Sequence, residues 1–203
     1  MLKQIICINW GTKYGASYIN RLYGMVARHI TPPFTLTCFT DSTQGIRSEV
    51  NVAPLPEINF EVPKTKKGIW PKCRLWNEKL GDLSGPVLFL DLDLVITGNL
   101  DAFFEYGDAD DVILARNPSN PLEKLGQTSV YRFPVGKLFP LLEKFSTDPS
   151  QKGSWTTRQG ENGVDDHDGS EQFPDGENNS KNVANLNHRN GFPASNHLEE
   201  RQQ

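Results

Sequence analysis

The 203-residue sequence is poor in cysteine, in positive charge and in long hydrophobic runs, and each shortage excludes a class of protein. Its cysteines, Cys7, Cys38 and Cys73, are too few and odd in number for a disulfide framework, so we expect buried thiols. A net charge of -4 argues against a partner nucleic acid held through its phosphates. No apolar stretch is long enough for a transmembrane segment or a signal peptide, so the expected location is cytoplasmic.

Apolar side chains are scarce in residues 151–203. Nine of these 53 positions are apolar, against 36% of the whole chain, and the nine follow neither strand nor helix spacing. Such a segment cannot bury enough surface to offset its ordering entropy. We therefore interpret residues 1–150 as one folded domain and residues 151–203 as a polar, disordered tail. Our hypothesis for the abrupt change is a truncated or frameshifted end, and translating the other reading frames beyond codon 152 would test it.

Residues 1–150 alternate short apolar runs with amphipathic stretches, which is the pattern of an α/β domain. Apolar runs predict strands at residues 5–8, 34–39, 87–90, 112–115 and 128–133. Helical spacing and helix-start residues predict helices over 19–30, from Pro71 to Gly81, after a cap at Asn99, and from Pro134 onward.

Two acidic residues, Asp91 and Asp93, interrupt the apolar run 87–96. In an extended chain, residues two apart share a face, so both carboxylates point to the same side. The apolar residues before them predict a strand covered on both faces, and ligands of open α/β sheets bind beyond the carboxyl ends of such strands. Neighbouring carboxylates repel each other unless a cation lies between them, and oxygen ligands suit Mg²⁺ or Mn²⁺. The sequence therefore predicts a metal site, the alternative being a solvated turn.

The segment 87–104 resembles the D-x-D segment of GT-A glycosyltransferases and is most similar to the family 8-like bacterial enzymes. Residues 10–14, 18–23 and 38–41 resemble the first β-α-β unit of that group. The similarity covers about residues 4–150. It implies a GT-A (Rossmann-like) nucleotide-sugar domain, with a mostly parallel sheet flanked by helices. Members usually continue for another third of a domain, so the resemblance implies a domain incomplete at its C-terminus.

The resemblance also implies roles for individual residues. Lys72 matches a basic position near the donor phosphates, although an ordinary surface lysine is the alternative. Residues 127–129 match a region near the sugar. The end of the first predicted strand matches residues that contact the base and ribose, namely Asn9, Trp10, Gly11, Thr12 and Tyr14; for Trp10 a place in the core is the alternative.

The implied reaction is metal-dependent transfer of a sugar from a nucleotide-diphosphate donor, such as a UDP-sugar, to the hydroxyl of a glycan or other acceptor. A metal held by Asp91 and Asp93 would bridge both phosphates and stabilise charge on the departing diphosphate. No catalytic base can be named from the sequence. Family members complete the metal shell with a histidine, but three of the four histidines here lie in the polar tail and none is assigned as a ligand: His167, His188 and His197.

Two other functions remain open at this stage. Residues 88–95 also resemble the first motif of haloacid-dehalogenase-like phosphatases, in which Asp91 would be the nucleophile. That motif normally lies on the first strand, whereas a long α/β pattern precedes it here, and Asp110 and Asp111 follow too soon to be the later acidic pair. The second alternative is an inactive remnant that binds donor without turnover.

Overall fold

The structure is a computed structural model that describes residues 2–60, 70–116 and 126–147, so the predicted tail at 151–203 lies outside the described residues. One 3₁₀ segment is present, at Trp70–Trp76. The helices are α1 (Ala16–His29), α2 (Ala102–Glu105) and α3 (Phe139–Thr147). The strands are β1 (Lys3–Asn9), β2 (Phe34–Thr40), β3 (Val50–Ala53), β4 (Pro86–Leu90), β5 (Ile113–Arg116) and β6 (Gly126–Pro134).

The described strands form one sheet in the order β3-β2-β1-β4-β6-β5. Strands β1 to β4 are parallel, whereas β6 runs antiparallel to both β4 and β5. The sheet is therefore mixed but mostly parallel, and helices flank it. This confirms the predicted fold class and places β4 in the interior of the sheet, where the parallel part meets the antiparallel part.

The apolar runs of β1 and β4 supply two cores, one on each face of the sheet, because successive side chains of a strand point to opposite faces. Helix α1 covers one face with Ile19, Leu22 and Val26, which recur at helical spacing and are fully buried. The other face packs against the 3₁₀ segment and α3. Each buried aliphatic side chain contributes about 1.5–3 kcal/mol relative to an exposed one.

The three cysteines are buried thiols and none of them forms a disulfide, as predicted. Cys7 of β1 lies opposite Cys38 of β2 in the parallel register, and Cys73 belongs to the 3₁₀ segment. A hydrogen bond with Cys38, together with burial, raises the pKa of Cys7 well above its usual value. The thiols therefore behave as small apolar core groups.

The predicted helix from Pro71 to Gly81 is wrong. The segment winds as a 3₁₀ helix that ends at Trp76, and Asn77 N donates to the Arg74 carbonyl, three residues back. The Asn77 side chain ends the winding, because its amide donates to the Glu57 carbonyl at 2.6 Å and its oxygen accepts from Glu78 N. Asparagine disfavours helix interiors because its side chain competes for backbone partners in this way.

Two other helix starts also differ from prediction. The helix predicted after Asn99 begins at Ala102, and the Asn99 side chain accepts from Asp101 N rather than from the first turn of that helix. The helix predicted from Pro134 begins at Phe139 because Gly136 has a positive φ of 84°, which is incompatible with a right-handed helix. In the parts of the chain that are described, no helix has the length and apolar character needed to cross a bilayer.

Candidate functional site

The carboxyl end of β4 carries the two acidic residues. Asp91 directly follows Leu90, and its backbone N–H donates to the Ser129 carbonyl at 3.0 Å, which extends the pairing of β4 with β6 by one residue. Because β6 runs antiparallel to β4, its first residues lie beside the last residues of β4. The predicted sugar-side residues 127–129 therefore reach this end of β4, and the Ser129 side chain lies close enough to Asp91 to lower its pKa.

Lys72, in the 3₁₀ segment, forms an ion pair with Asp91. The Lys72 Nζ lies 2.6 Å from one carboxylate oxygen and 2.7 Å from the other, and the two side chains are 12% and 16% exposed. Burial raises the pKa of Asp91; Lys72 and Ser129 lower it, while the negative charge of Asp93 adds to the increase. The net pKa increase means that Lys72 does not fully compensate the cost of a carboxylate charge at this position.

Asp93 is exposed, and its partner is Tyr14 from the loop between β1 and α1. The Tyr14 hydroxyl donates to Asp93 Oδ2 at 2.7 Å, and this hydrogen bond to a carboxylate raises the pKa of Tyr14. The Lys13 ammonium lies 4.5 Å from the centre of the Tyr14 ring. The predicted nucleoside loop thus contacts one of the two predicted metal carboxylates through Tyr14, a residue that the sequence assigned to the nucleoside alone.

The loop after β1 is fixed by two hydrogen bonds. Gly11 has a positive φ of 62°, and its N–H donates to Asp41 Oδ2, at the end of β2, at 2.9 Å. The Asn9 side-chain amide donates to the Tyr14 carbonyl at 3.2 Å, while the buried Asn9 Oδ1 accepts no hydrogen bond within the described structure. The resemblance over residues 38–41 includes Asp41, but the sequence does not indicate its bond to Gly11.

Aromatic residues lie beneath the ion pair. The Lys72 ammonium is 5.4 Å from the ring centre of Phe89, whose ring is 5.1 Å from that of Tyr131. Trp76 Nε1 donates to the Tyr131 hydroxyl at 3.2 Å, and burial raises the pKa of Tyr131. Sequence analysis missed Tyr131, which carried no signal beyond its place in a predicted strand.

The predicted site residues do not all face one another. Lys72 contacts Asp91, Tyr14 contacts Asp93, and Thr12 is exposed in the turn next to Tyr14. Residues 92 and 93 form a turn rather than an extended strand, so the strand periodicity that predicted a shared side for Asp91 and Asp93 does not apply. Trp10 is half-buried and packs against the core on the side of the 3₁₀ segment, as its core alternative required. Within the described ranges, no group of three or more His, Cys, Asp or Glu side chains is arranged to hold a metal ion.

Several solved structures are similar to this chain, and two of them are glycosyltransferases with a TM-score of 0.50 or more. The galactosyltransferase LgtC, crystallised with donor and acceptor sugar analogues, has a TM-score of 0.52 and 12% sequence identity over 71% of this chain and 62% of its own. The glycosyltransferase GlyE of Streptococcus pneumoniae has a TM-score of 0.50 and 14% identity over 74% of this chain and 40% of its own. The fold is that of the GT-A glycosyltransferases.

The chain spans less than two-thirds of the length of either structure. No protein-family model matches its sequence, and comparison with curated proteins finds no similar sequence. The fold does not favour the phosphatase alternative, because its motif normally lies on the first strand, whereas Asp91 follows β4. At these identities the comparison establishes the fold, and the reaction has to be argued from the site.

Proposed function

We propose that the protein is a glycosyltransferase that transfers a sugar from a nucleotide-diphosphate donor, such as a UDP-sugar, to an acceptor hydroxyl, with Asp91 and Asp93 as ligands of Mn²⁺ or Mg²⁺. The observation that carries the proposal is the position of these two acids. They follow the interior strand β4, at the carboxyl end of the parallel strands, where Tyr14 and Ser129 also lie. In open α/β sheets this end is where ligands bind.

The donor atoms at the site fit a hard divalent cation. Carboxylate oxygens are the ligands that Mg²⁺ and Mn²⁺ prefer, and such ions commonly take one or two carboxylates plus substrate phosphates and water. The raised pKa of Asp91 reflects a buried charge that additional positive charge would stabilise. When bound, the cation would neutralise charge that develops on the departing diphosphate.

The chain itself offers groups for the rest of the donor. The loop over residues 9–14 would hold the nucleoside, and Asn9 Oδ1 is a buried acceptor without a hydrogen-bond partner in the described structure. Lys72 is placed to contact the phosphates, because its ammonium already lies against Asp91. Ser129, whose carbonyl accepts from Asp91 N, would approach the sugar.

Calorimetry with UDP and Mn²⁺ tests the proposal most directly. In Asp93→Ala, metal-dependent UDP binding is expected to weaken by at least about tenfold, because one of the two carboxylate ligands is lost. The matched control is Asp110→Ala, which removes a 77% exposed carboxylate paired with Lys137 away from the site and should bind like wild type. Equal UDP binding by wild type and Asp93→Ala would contradict the metal assignment.

A second assay separates an enzyme from a donor-binding remnant. An active transferase releases UDP from UDP-sugars when Mn²⁺ and an acceptor are present, with slow hydrolysis of the donor when no acceptor is supplied. A remnant binds UDP with metal but releases none from any UDP-sugar. We expect UDP release by wild type and its loss in Asp93→Ala.

A further inference from the structure

The Lys72 ammonium occupies the position that a metal ion would take against Asp91. Its Nζ contacts both carboxylate oxygens, at 2.6 and 2.7 Å, so both oxygens of this proposed ligand already face a positive charge. An ammonium held against both oxygens repels a cation that approaches the same carboxylate, so the two positive charges compete for Asp91. The inference that follows rests on the proposed function, because it assumes that Asp91 is a metal ligand.

The charges around the pair explain why a metal ion alone would bind weakly. Asp91 and Lys72 neutralise each other, while Asp93 is held by the neutral Tyr14 hydroxyl and the Lys13 ammonium lies 4.5 Å from the same tyrosine ring. A divalent cation that arrives alone would meet two carboxylates and two ammonium groups, of which the Lys72 ammonium is in direct contact with Asp91. A diphosphate that arrives with the metal brings enough negative charge to accept that ammonium.

We propose that Lys72 is a built-in counter-cation that competes with the divalent metal for Asp91, so that metal and donor diphosphate bind together and each alone binds weakly. On joint binding, the ammonium transfers from Asp91 to the phosphate oxygens. Lysine suits this exchange because its charge is compact and its four-carbon stem is flexible. The aromatic ring of Phe89, 5.4 Å from the ammonium, provides a surface along which the stem can move.

Burial distinguishes this pair from an ordinary surface contact. Lys137 and Asp110 lie equally close, at 2.6 Å, but Asp110 is 77% exposed and water screens the pair. Asp91 and Lys72 are 16% and 12% exposed, so the carboxylate depends on a nearby positive charge. Removing the ammonium leaves a buried carboxylate that a divalent cation can satisfy.

Mn²⁺ binding without nucleotide, measured from the electron paramagnetic resonance signal of the free ion, tests the competition in the full chain. Wild type is expected to bind Mn²⁺ weakly, and Lys72→Gln to bind it about tenfold tighter or more, because an uncompensated buried charge is then relieved by the metal. Lys72→Arg keeps the charge and should remain as weak as wild type. Lys137→Gln removes the ammonium of the comparison pair, whose carboxylate is exposed, and should also match wild type.

Calorimetry of UDP in the presence of Mn²⁺ should show the opposite order, with Lys72→Gln weaker than wild type because the phosphates lose their ammonium contact. If Lys72→Gln folds poorly, its unfolding temperature provides the second readout, and added Mn²⁺ should raise it more than it raises that of wild type. An Mn²⁺ affinity or Mn²⁺-induced temperature shift in Lys72→Gln no larger than in wild type overturns the counter-cation role.

The two proposals fail in distinguishable ways. Wild type that binds UDP only with Mn²⁺, combined with unchanged Mn²⁺ binding in Lys72→Gln, removes the counter-cation role and leaves the metal site intact. Absence of Mn²⁺-dependent UDP binding in wild type removes both.

Discussion

Tyr14 joins two parts of the site that are 79 positions apart in the sequence, since its backbone belongs to the loop after β1 and its hydroxyl reaches Asp93 beyond β4. The ring also packs against Tyr18 of α1, with ring centres 4.8 Å apart. The loop that is proposed to hold the nucleoside is therefore tied to a proposed metal ligand. A change at the hydroxyl alone should affect both metal and nucleotide binding without disturbing the fold.

Tyr14→Phe is expected to weaken Mn²⁺-dependent UDP binding several-fold, because groups that orient metal ligands typically contribute about tenfold or more to metal affinity. Calorimetry measures the effect, and the unfolding temperature should stay within about 2 °C because the ring contacts remain. Tyr23→Phe is the matched control: it removes a hydroxyl from α1 but keeps the ring contacts with Phe34 and Arg47. Equal UDP affinities of Tyr14→Phe and Tyr23→Phe would remove Tyr14 from the site.

Asp101, which precedes α2, connects three elements of the fold. Its carboxylate accepts from Thr31 N and Thr31 Oγ1 in the turn between α1 and β2, and it pairs with Lys3 Nζ of β1 at 2.9 Å. Burial acts to raise the pKa of Asp101, but the hydrogen bonds from Thr31, Lys3 and Asn99 lower it to about 2. These bonds fix the far end of the segment that leaves the site after Asp93.

The pKa shift of Asp101 predicts a pH-dependent stability. Its folded-state pKa of about 2 lies below the ordinary value of 3.8, so the stabilisation is complete above about pH 4 and is lost as the pH falls towards 2. Asp101→Asn should therefore lower the free energy of unfolding at pH 7 by roughly 2 kcal/mol, and the difference from wild type should shrink between pH 4 and pH 2. Urea denaturation over this pH range measures both effects.

Asp82→Asn is the control for Asp101→Asn, because it makes the same substitution at an exposed carboxylate. Its free energy of unfolding should stay close to that of wild type at each pH. A constant difference between Asp101→Asn and wild type from pH 7 to pH 2 would show that the carboxylate charge is not what stabilises the fold.

Local patterns predicted the elements better than their contacts. The apolar runs of β1, β2 and β4 and the periodicity of α1 sufficed because those side chains are buried where the pattern indicates. Strand β3 was missed because it is short and two of its four residues, Asn51 and Val52, are exposed. The 3₁₀ segment was mistaken for an α-helix because the competing bonds of Asn77 lead to a loop far from it in sequence.

Local patterns also predicted the two acids of the site but not the residues that contact them. Asp91 and Asp93 stand out because acids inside an apolar run have no place in a core, and a local window shows this. The partners of these acids do not stand out. Lys72 lies 19 positions before Asp91, and only the packing of the 3₁₀ segment against the sheet brings the two charges together.

At the scale of the whole molecule, both cores and the six-stranded sheet lie within residues 2–147. The direction of β6 could not be read from its sequence, yet it determines that Ser129 lies beside Asp91. The chain also spans 62% of the length of LgtC and 40% of the length of GlyE. The described fold can thus be tested independently of the polar segment that follows it.

A chain that ends at residue 150 is expected to unfold at the same temperature as the full chain, within about 2 °C, because the described core residues are all retained. Its affinity for UDP with Mn²⁺ should also be unchanged. Thermal unfolding and calorimetry on both chains check this. A large drop in unfolding temperature would show that residues 151–203 contribute to the fold, against the interpretation from composition.

The burial of all three cysteines gives the protein intrinsic reporters of its own opening. A buried thiol reacts with alkylating reagents only when its surroundings open, and the raised pKa of Cys7 slows its reaction further. Cys7 and Cys38 lie opposite each other on the adjacent strands β1 and β2, so their labelling rates measure how often these two strands separate. Cys73 directly follows Lys72, so its labelling rate measures how often the segment that carries the ammonium detaches, and wild-type protein suffices for both measurements.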